Sequence, residues 1–164
     1  MEIRQARAAD APQIAKIYNH YIATSHATFE LEPINTDEML RRMGDSCDVG
    51  FTFLVCEENA NVVGYAFAHE FRQRPAYRHS VEVSVYISPG CEGKGIGSNL
   101  YRELFAELER RDLHVIIAGI SLPNDASVRL HEKFGFEKVA HFREVGRKFD
   151  RWIDVGYWER ILAK

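Results

Sequence analysis

Apolar positions in the first part of the chain predict one strand followed by two helices. Residues 2–6 alternate as a short strand does. Over residues 14–22 the apolar side chains recur at helical spacing, which predicts a helix with Asp10 as its N-cap and a proline early in its first turn. A second amphipathic pattern over residues 36–43 predicts another capped helix, which begins at Thr36 and has both of its methionines on one face.

The middle of the chain predicts a hairpin and then a strand with two distinct faces. Two segments rich in β-branched and aromatic residues, within 51–72, flank the turn residues 59–61. The next segment, 77–88, alternates strictly between apolar and more polar side chains. Its apolar face carries Val81, Val83, Val85 and Ile87, and its other face carries Glu82, Ser84 and Tyr86.

The second half of the chain predicts two more helices and three strands. A helix is predicted over 96–111, and the continuous apolar run 114–120 is typical of a strand at the centre of a sheet. Residues 123–135 have the pattern of a capped helix that ends at a glycine. The last segment, 136–162, predicts two strands joined around 147–151. The order β α α β β β α β α β β therefore predicts an α/β fold, a mixed sheet with helices on its faces, in a single domain spanning 1–164.

Composition and charge narrow the possible functions. With 27% charged residues and a net charge of −3, the chain has an ordinary globular composition and no basic patch for nucleic acid. No apolar stretch approaches the ~20 residues that a membrane span needs, and the first ten residues lack the layout of a signal peptide, so we expect a cytoplasmic protein. Three scattered cysteines and the unpaired histidines argue against a disulfide framework and against a metal site.

A glycine cluster precedes the predicted helix 96–111. Glycine inside an element costs roughly 0.5–1 kcal/mol relative to alanine, so a cluster indicates a special backbone path or a close approach. The unpaired N–H groups of a helix N-terminus suit a phosphate, and a plain strand-to-helix loop is the alternative. The cluster follows the fourth predicted strand and lacks the Lys-Ser/Thr ending, which argues against a dinucleotide fold and against a P-loop. Its members are Gly90, Gly93, Gly95 and Gly97.

Residues 81–105, Asn124 and the segment "LHEKFGF" at 130–136 resemble the GNAT superfamily of acyl-CoA-dependent N-acetyltransferases. The phosphate loop of that superfamily, Q/R-x-x-G-x-G/A, falls on 92–97, where Glu92 departs from the usual first residue. The segments "IYNHYIATSHATFELEP", "YRHSVEVSVYI", "GISLPNDASVRLHEKFGF" and "FREVGRKFDRWIDVGYWER" resemble the phosphinothricin and methionine sulfoximine N-acetyltransferases. That family acetylates the α-amino group of small amino acids similar to glutamate or methionine.

The resemblance implies a GNAT-type fold and acetyl-CoA as co-substrate. The glycine loop would hold the coenzyme pyrophosphate. Residues 85–87 would lie beside the pantetheine arm like an added strand, with one N–H stabilising the oxyanion formed on the thioester carbonyl. The implied coenzyme-binding residues are Val85, Tyr86, Ile87, Gly93, Lys94, Gly95, Ile96, Gly97, Ser98, Asn124 and Ser127.

Two residues are candidates for proton transfer. An α-ammonium group must lose a proton before it can attack, and the resemblance assigns Glu82 as the base, acting through water. An exposed strand glutamate is the alternative. His131 stands where many GNAT enzymes have a tyrosine that protonates the thiolate, so the resemblance implies that it is the acid or part of the base relay. A half-buried structural histidine is the alternative for this position.

A cluster of arginines lies just before the strand that carries the candidate base. A planar guanidinium suits a substrate carboxylate, so we expect Arg74, with Tyr77, to bind it. A solvated basic turn is the alternative. The expected substrate-binding residues are Phe29 and Glu30 on the opposite wall, together with Arg72, Arg74 and Tyr77.

The aromatic segment 148–158 leaves two interpretations open. Trp152 and Tyr157 belong either to core and dimer packing or to the border of a site shared between two subunits of an expected homodimer. The functions to be separated are N-acetylation of a small amino acid, acetylation of a protein N-terminus or lysine, and acyl-CoA binding without catalysis. The arginines favour the first, because a free amino acid carries a carboxylate.

Overall fold

The computed structural model of the protein describes residues 1–48 and 50–162. The strands are β1 (Glu2–Gln5), β2 (Phe53–Glu58), β3 (Asn61–Glu70), β4 (Ser80–Ile87), β5 (Val115–Leu122), β6 (Glu137–Lys148) and β7 (Arg151–Ile161). The helices are α1 (Ala11–Thr24), α2 (Thr36–Asp48), α3 (Ile96–Leu108) and α4 (Asp125–Lys133). This order confirms the one predicted from the sequence, with short 3₁₀ turns added at Ala8–Asp10 and Pro75–Tyr77.

All seven strands form one mixed sheet in the order β1-β2-β3-β4-β5-β7-β6. Every neighbouring pair is antiparallel except β4 and β5, which are parallel. The connection between these two strands runs through α3, as a parallel crossover requires. The one parallel pair therefore lies in the middle of the sheet, next to the helix that follows the glycine cluster.

The sheet separates two hydrophobic cores. One core packs α3 against the apolar face of β4, where Val81 and Val83 are buried, and the other packs α1 and α2 against the opposite face. The alternation predicted for β4 thus places its apolar side chains toward α3. Its second face, with Glu82, looks toward the α1–α2 side.

The helix ends differ from the sequence prediction in detail. Asp10 precedes α1, but its carboxylate does not cap that helix, because it accepts hydrogen bonds from Arg4 and from the backbone N–H of Arg7. The bonds from Arg4 lower the pKa of Asp10. At α2 the capping oxygen belongs to Asn35, one residue before Thr36. Helix α3 ends at Leu108, three residues before the predicted end.

The described residues contain neither a candidate membrane-spanning helix nor a cluster of metal ligands. None of the helices there is both long and apolar enough to cross a membrane. No group of three or more His, Cys, Asp or Glu side chains in that part of the chain is placed to hold a metal ion. Cys47, Cys56 and Cys91 are all free.

Candidate active site

The sheet opens between its two parallel strands. β4 and β5 pair over only three positions, Ser80↔Val115, Val81↔Ile116 and Glu82↔Ile117. Beyond Glu82 a cavity of about 520 Å³ lies between the strands, with residues 83–87 on one wall and 119–121 on the other. The gap leaves part of the β4 backbone without a neighbouring strand, so an extended ligand can occupy that place.

The hydrogen bonds of Ile87 show which N–H and C=O groups of β4 point away from β3 and into the gap. The Ile87 C=O accepts a hydrogen bond from the Tyr21 hydroxyl at 2.8 Å and its N–H donates to the same oxygen at 3.4 Å, so both groups point away from β3. Because backbone groups alternate in direction along a strand of an antiparallel pair, those of Val83 and Val85 point into the gap as well. Val85 therefore offers both groups to a ligand, whereas those of Ile87 are bound by Tyr21.

The glycine loop forms one end of this cavity. Gly93 and Gly95 have φ angles of +75° and +78°, a conformation that side chains rarely adopt, and a β-carbon at either position would contact no protein atom. A side chain at Gly93 or Gly95 would therefore occupy the open space at the start of α3, where the helix presents unpaired N–H groups. A bare backbone at this place suits an anionic group such as a pyrophosphate.

Helix α4 contributes the opposite side of the cavity. The Asn124 side chain accepts a hydrogen bond from the N–H of Ser127 and caps the helix, while Lys133 donates to the Ser98 hydroxyl at the start of α3. Asn124, Ser127, Ser98 and Lys133 all line the cavity. Of the coenzyme-binding residues expected from the sequence, all but Lys94 do so.

Glu82 lies where the two strands separate. A β-carbon at Gly119 of β5 would be 3.1 Å from the Glu82 carboxylate and 3.3 Å from the Tyr157 ring, so the carboxylate rests over a residue that lines the cavity. Burial and the negative charge of Glu82 raise the pKa of Tyr157. Tyr157 therefore lies beside the candidate base, whereas Trp152 is exposed near the turn between β6 and β7.

His131 is buried and has partners on both ring nitrogens. Its Nδ1 is 2.8 Å from the Ser127 carbonyl oxygen, which can only accept, so the proton lies on Nδ1. Its Nε2 then accepts a hydrogen bond from the Tyr101 hydroxyl, at 3.0 Å. Burial lowers the pKa of His131 and raises that of Tyr101, so both side chains are held in their neutral forms.

A second cavity, of about 680 Å³, lies on the α1–α2 side of the sheet. Ser84 and Tyr86 line both cavities, so the two spaces adjoin at β4. Ser84 lies on the same face as Glu82, and the cross-strand neighbour of Glu82, His69, lines the second cavity. Glu82 itself lines neither cavity, but its carboxylate lies over Gly119, which lines the first, and its strand partner His69 lines the second.

None of the five expected substrate-binding residues lines either cavity. Glu30 accepts a hydrogen bond from Arg42, which lines the second cavity, and the Phe29 ring packs against Gly146 so closely that no β-carbon would fit there. Arg72 lies over the Phe71 ring. Arg74 and Tyr77 are exposed and line neither cavity, although Gln73, beside Arg74, lines the second one.

Comparison with known proteins identifies the family to which this chain belongs. The model of the acetyltransferase (GNAT) domain matches residues 3–156. The chain therefore belongs to the GNAT acetyltransferases. A phosphinothricin N-acetyltransferase from Streptomyces coelicolor is 42% identical over 99% of this chain and 96% of its own.

A relative and a solved structure, both from Salmonella typhimurium, extend the comparison of this GNAT enzyme. An L-methionine sulfoximine/L-methionine sulfone acetyltransferase is 39% identical over 99% of this chain and 95% of its own. The structure of the acetyltransferase yncA with its cofactor acetyl-CoA has a TM-score of 0.96 at 38% identity, covering 99% of this chain and 94% of that one. The chain is an acetyl-CoA-dependent N-acetyltransferase, and the open strand gap with its glycine loop fits that coenzyme.

Several residues around the two cavities were missed by the sequence interpretation. Tyr21, Tyr101 and Gly119 lie on elements that only the fold brings to β4. The helical spacing of Tyr21 and Tyr101 is the same as that of ordinary core residues, so it does not mark them as site residues. A single glycine in an apolar strand likewise has no distinctive pattern. For Gly119 the one available signal was its place in an otherwise continuous apolar segment.

Proposed function

We propose that the enzyme transfers the acetyl group directly to the α-amino group of a small amino-acid analogue, such as methionine sulfoximine, methionine sulfone or phosphinothricin, and so detoxifies it. The names of the relatives support this substrate class. Within this chain the main support is that the two cavities adjoin at Ser84 and Tyr86, beside Glu82. An acceptor and the coenzyme can therefore be bound together and meet at β4, which suits a ternary complex.

In this proposal the coenzyme is held along β4 and at the start of α3. The backbone of Gly93 to Ser98 binds the pyrophosphate, and the N–H and C=O of Val85 pair with the pantetheine arm. Bound in this way, acetyl-CoA supplies the acetyl group as a thioester. An N–H of β4 that faces the gap can donate to the thioester oxygen as negative charge develops there.

Glu82 accepts the proton of the α-ammonium group. Its carboxylate lies over Gly119, and no hydrogen bond or ion pair of this carboxylate is found within residues 1–48 and 50–162. It is therefore available to a water molecule or to the ammonium itself.

His131 holds Tyr101 in place in this proposal and does not protonate the thiolate. A neutral imidazole with its proton on Nδ1, bound to the Ser127 carbonyl, has no proton on the nitrogen that faces Tyr101. The proton relay expected from the resemblance would require an imidazolium in a site where burial lowers the pKa.

Arg74 and its neighbours bind the α-carboxylate at the rim of the second cavity. Glu70 and Gln73 line that cavity. Arg72 and Arg74 are the sequence neighbours of Gln73, so their guanidinium groups belong to the same loop. Arg74 is exposed in this structure, and a side chain of its length can turn toward a bound carboxylate.

The decisive experiment is a steady-state panel of free amino acids and analogues with acetyl-CoA, followed by thiol release. Acetylation of the analogues at saturating acetyl-CoA is the expected result. Turnover only with peptides that carry a free N-terminus or lysine would instead assign a protein acetyltransferase. Coenzyme binding without turnover on either class would assign a non-catalytic acyl-CoA sensor.

Two further predictions concern the state of the protein. The exposed apolar side chains Val139, Phe142, Val145 and Trp152 on β6 and β7 accord with the expected homodimer, in which Trp152 and Tyr157 lie near the partner. Sedimentation analysis at micromolar concentration tests this, since a monomer would contradict it. The cytoplasmic location also stays a prediction, to be tested by fractionation.

A further inference from the structure

We infer that Tyr157 positions the proton relay of the candidate base: its hydroxyl and the Glu82 carboxylate together hold the water molecule through which the α-ammonium group loses its proton. This inference rests on the proposed function, in which Glu82 is the base. It goes further by giving a role to a tyrosine that the sequence left between core packing and the border of a site.

The strand register brings Tyr157 to the same face of the sheet as Glu82. Gly119 of β5 pairs with Tyr157 of β7, and Ile117, two residues earlier in β5, pairs with Glu82 of β4. Side chains two residues apart on a strand point to the same face, so Glu82, Gly119 and Tyr157 share the face opposite α3. Three neighbouring strands thus carry the carboxylate and the phenol with a glycine between them.

Gly119 opens the space in which the two side chains meet. A β-carbon at this position would lie 3.1 Å from Glu82 Oε1, 3.3 Å from Tyr157 Cε1 and 3.5 Å from Tyr157 Cζ. The carboxylate oxygen and the ring carbon that bears the hydroxyl are therefore both within 3.5 Å of one point above β5. A single water molecule can bridge a carboxylate and a hydroxyl placed in this way.

The protein itself uses neither of these polar groups. No hydrogen bond of the Tyr157 hydroxyl or of the Glu82 carboxylate is found within residues 1–48 and 50–162. In the same residues no buried side-chain nitrogen or oxygen lacks a partner, so both groups are accessible to water. The Tyr157 ring is held by an edge-to-face contact with Phe142, at 5.8 Å between centroids. The hydroxyl is thus fixed in place and free to bind a water molecule.

The charges around Tyr157 keep its hydroxyl protonated. Burial and then the negative charge of Glu82 raise the pKa of Tyr157, and the positive charge of Arg72 acts in the opposite sense. A neutral phenol can donate to a water molecule while that water donates to the carboxylate. Other titratable side chains on this face are His69, the strand partner of Glu82, Glu159, two residues after Tyr157, and His26, which bonds to Ser121.

The relay balances its protons without changing Tyr157. When an N–H bond of the ammonium group breaks, its proton passes to the water, and a proton of that water passes to the Glu82 carboxylate. Tyr157 keeps its own proton throughout and acts only by orienting the water, so it is a positioning residue. A water molecule held by two groups is aligned for transfer more of the time than one held by the carboxylate alone.

Tyr157→Phe tests this role, because it removes the hydroxyl and keeps the ring against Phe142. We expect kcat to fall about tenfold, the effect of one ordinary hydrogen bond, while KM for acetyl-CoA and the urea midpoint stay unchanged. The acid side of the pH profile of kcat/KM should move upward by about half a pH unit, since a donor to the charged relay is lost. A merely structural role would lower the rate without moving this side of the profile.

Phe142→Leu is the matched control. It loosens the packing of the Tyr157 ring and keeps the hydroxyl, at a side chain that lines neither cavity. It should leave both kcat and the acid side of the profile in place. A loss in Phe142→Leu equal to that in Tyr157→Phe would assign the effect to ring packing and overturn the inference.

A double-variant cycle with Glu82→Gln separates this inference from the proposed function. If Glu82→Gln alone turns over at the wild-type rate, Glu82 is not the base, and the proposed function fails at that step. If Glu82→Gln lowers kcat, adding Tyr157→Phe should cost less than about twofold more, because the relay that the hydroxyl serves is already lost. Fully additive losses, or a Tyr157→Phe enzyme with wild-type kcat, would overturn the role of Tyr157 and leave Glu82 as the base.

Discussion

Removing the hydroxyl of Tyr101 tests whether His131 is a fixed acceptor or a proton donor. Tyr101→Phe keeps the ring that packs against Phe105 and Phe134 and removes only the group that donates to His131 Nε2 at 3.0 Å. That nitrogen then has no donor, at a residue whose exposed fraction is 3%. An unsatisfied buried polar group costs about 1–3 kcal/mol, so the free energy of unfolding should fall by that amount.

Urea denaturation at pH 8, followed by tryptophan fluorescence, measures this loss. The denaturant slope should not change, because the surface exposed on unfolding is nearly the same. Adding His131→Leu to the Tyr101 variant should restore part of the lost stability, since both polar partners are then absent and the two changes are coupled. Additive losses would refute the assigned hydrogen bond. A drop in kcat of about a hundredfold or more in Tyr101→Phe, with stability unchanged, would instead place the pair in proton transfer.

Four further predictions address the site. Glu82→Gln should lower kcat about 10²–10⁴-fold while acetyl-CoA affinity is kept, and wild-type turnover across neutral pH would exclude Glu82 as the base. Gly95→Val should abolish coenzyme binding measured by calorimetry. The control Gly90→Val introduces the same backbone strain, since Gly90 has a φ of +80°, but lies outside the cavity lining and should leave coenzyme binding in place. Arg74→Ala should lower kcat/KM for an amino acid at a cost of about 1.5–3 kcal/mol and have little effect on its amide, and equal losses for both would exclude contact with the carboxylate. Burial lowers the pKa of His131, so this side chain binds a proton more readily in the unfolded chain than in the folded protein. The free energy of unfolding should therefore be highest above about pH 6.5, the pKa of histidine in the unfolded chain, and should fall as the pH drops below it. In His131→Gln the pH profile of unfolding should be correspondingly flatter.

The order of elements could be predicted from the sequence because each element has a local cause. The alternation in β4 follows from valines that bury against α3, and the end of α4 follows from Gly135, whose φ is +80°. The glycine loop could also be assigned to the start of α3, since its backbone conformation depends on neighbouring residues alone. These features need no knowledge of which strands pair.

The second cavity could not be predicted, because it depends on contacts between distant segments. Its floor exists because Phe53 pairs with Phe67, and Tyr65 with Tyr86, registers that no local pattern specifies. Asp10 shows the same limit at smaller scale. An N-cap was predicted from its neighbours, but Arg4 from β1 competes for the carboxylate and makes it part of an ion pair.

The loop before α2 shows how distant contacts shape the site. His26 bonds to Ser121 of β5, and Lys148 of β6, although buried, donates to the Thr28 carbonyl at 2.8 Å. Burial lowers the pKa of Lys148, so its charge is tolerated there only because that carbonyl oxygen and nearby Glu30 offset the loss of water. The Thr28 hydroxyl in turn bonds to Tyr18, which lines the second cavity. A loop with no secondary structure of its own is thus fixed between the two cavities by bonds that reach as far as 120 residues along the chain.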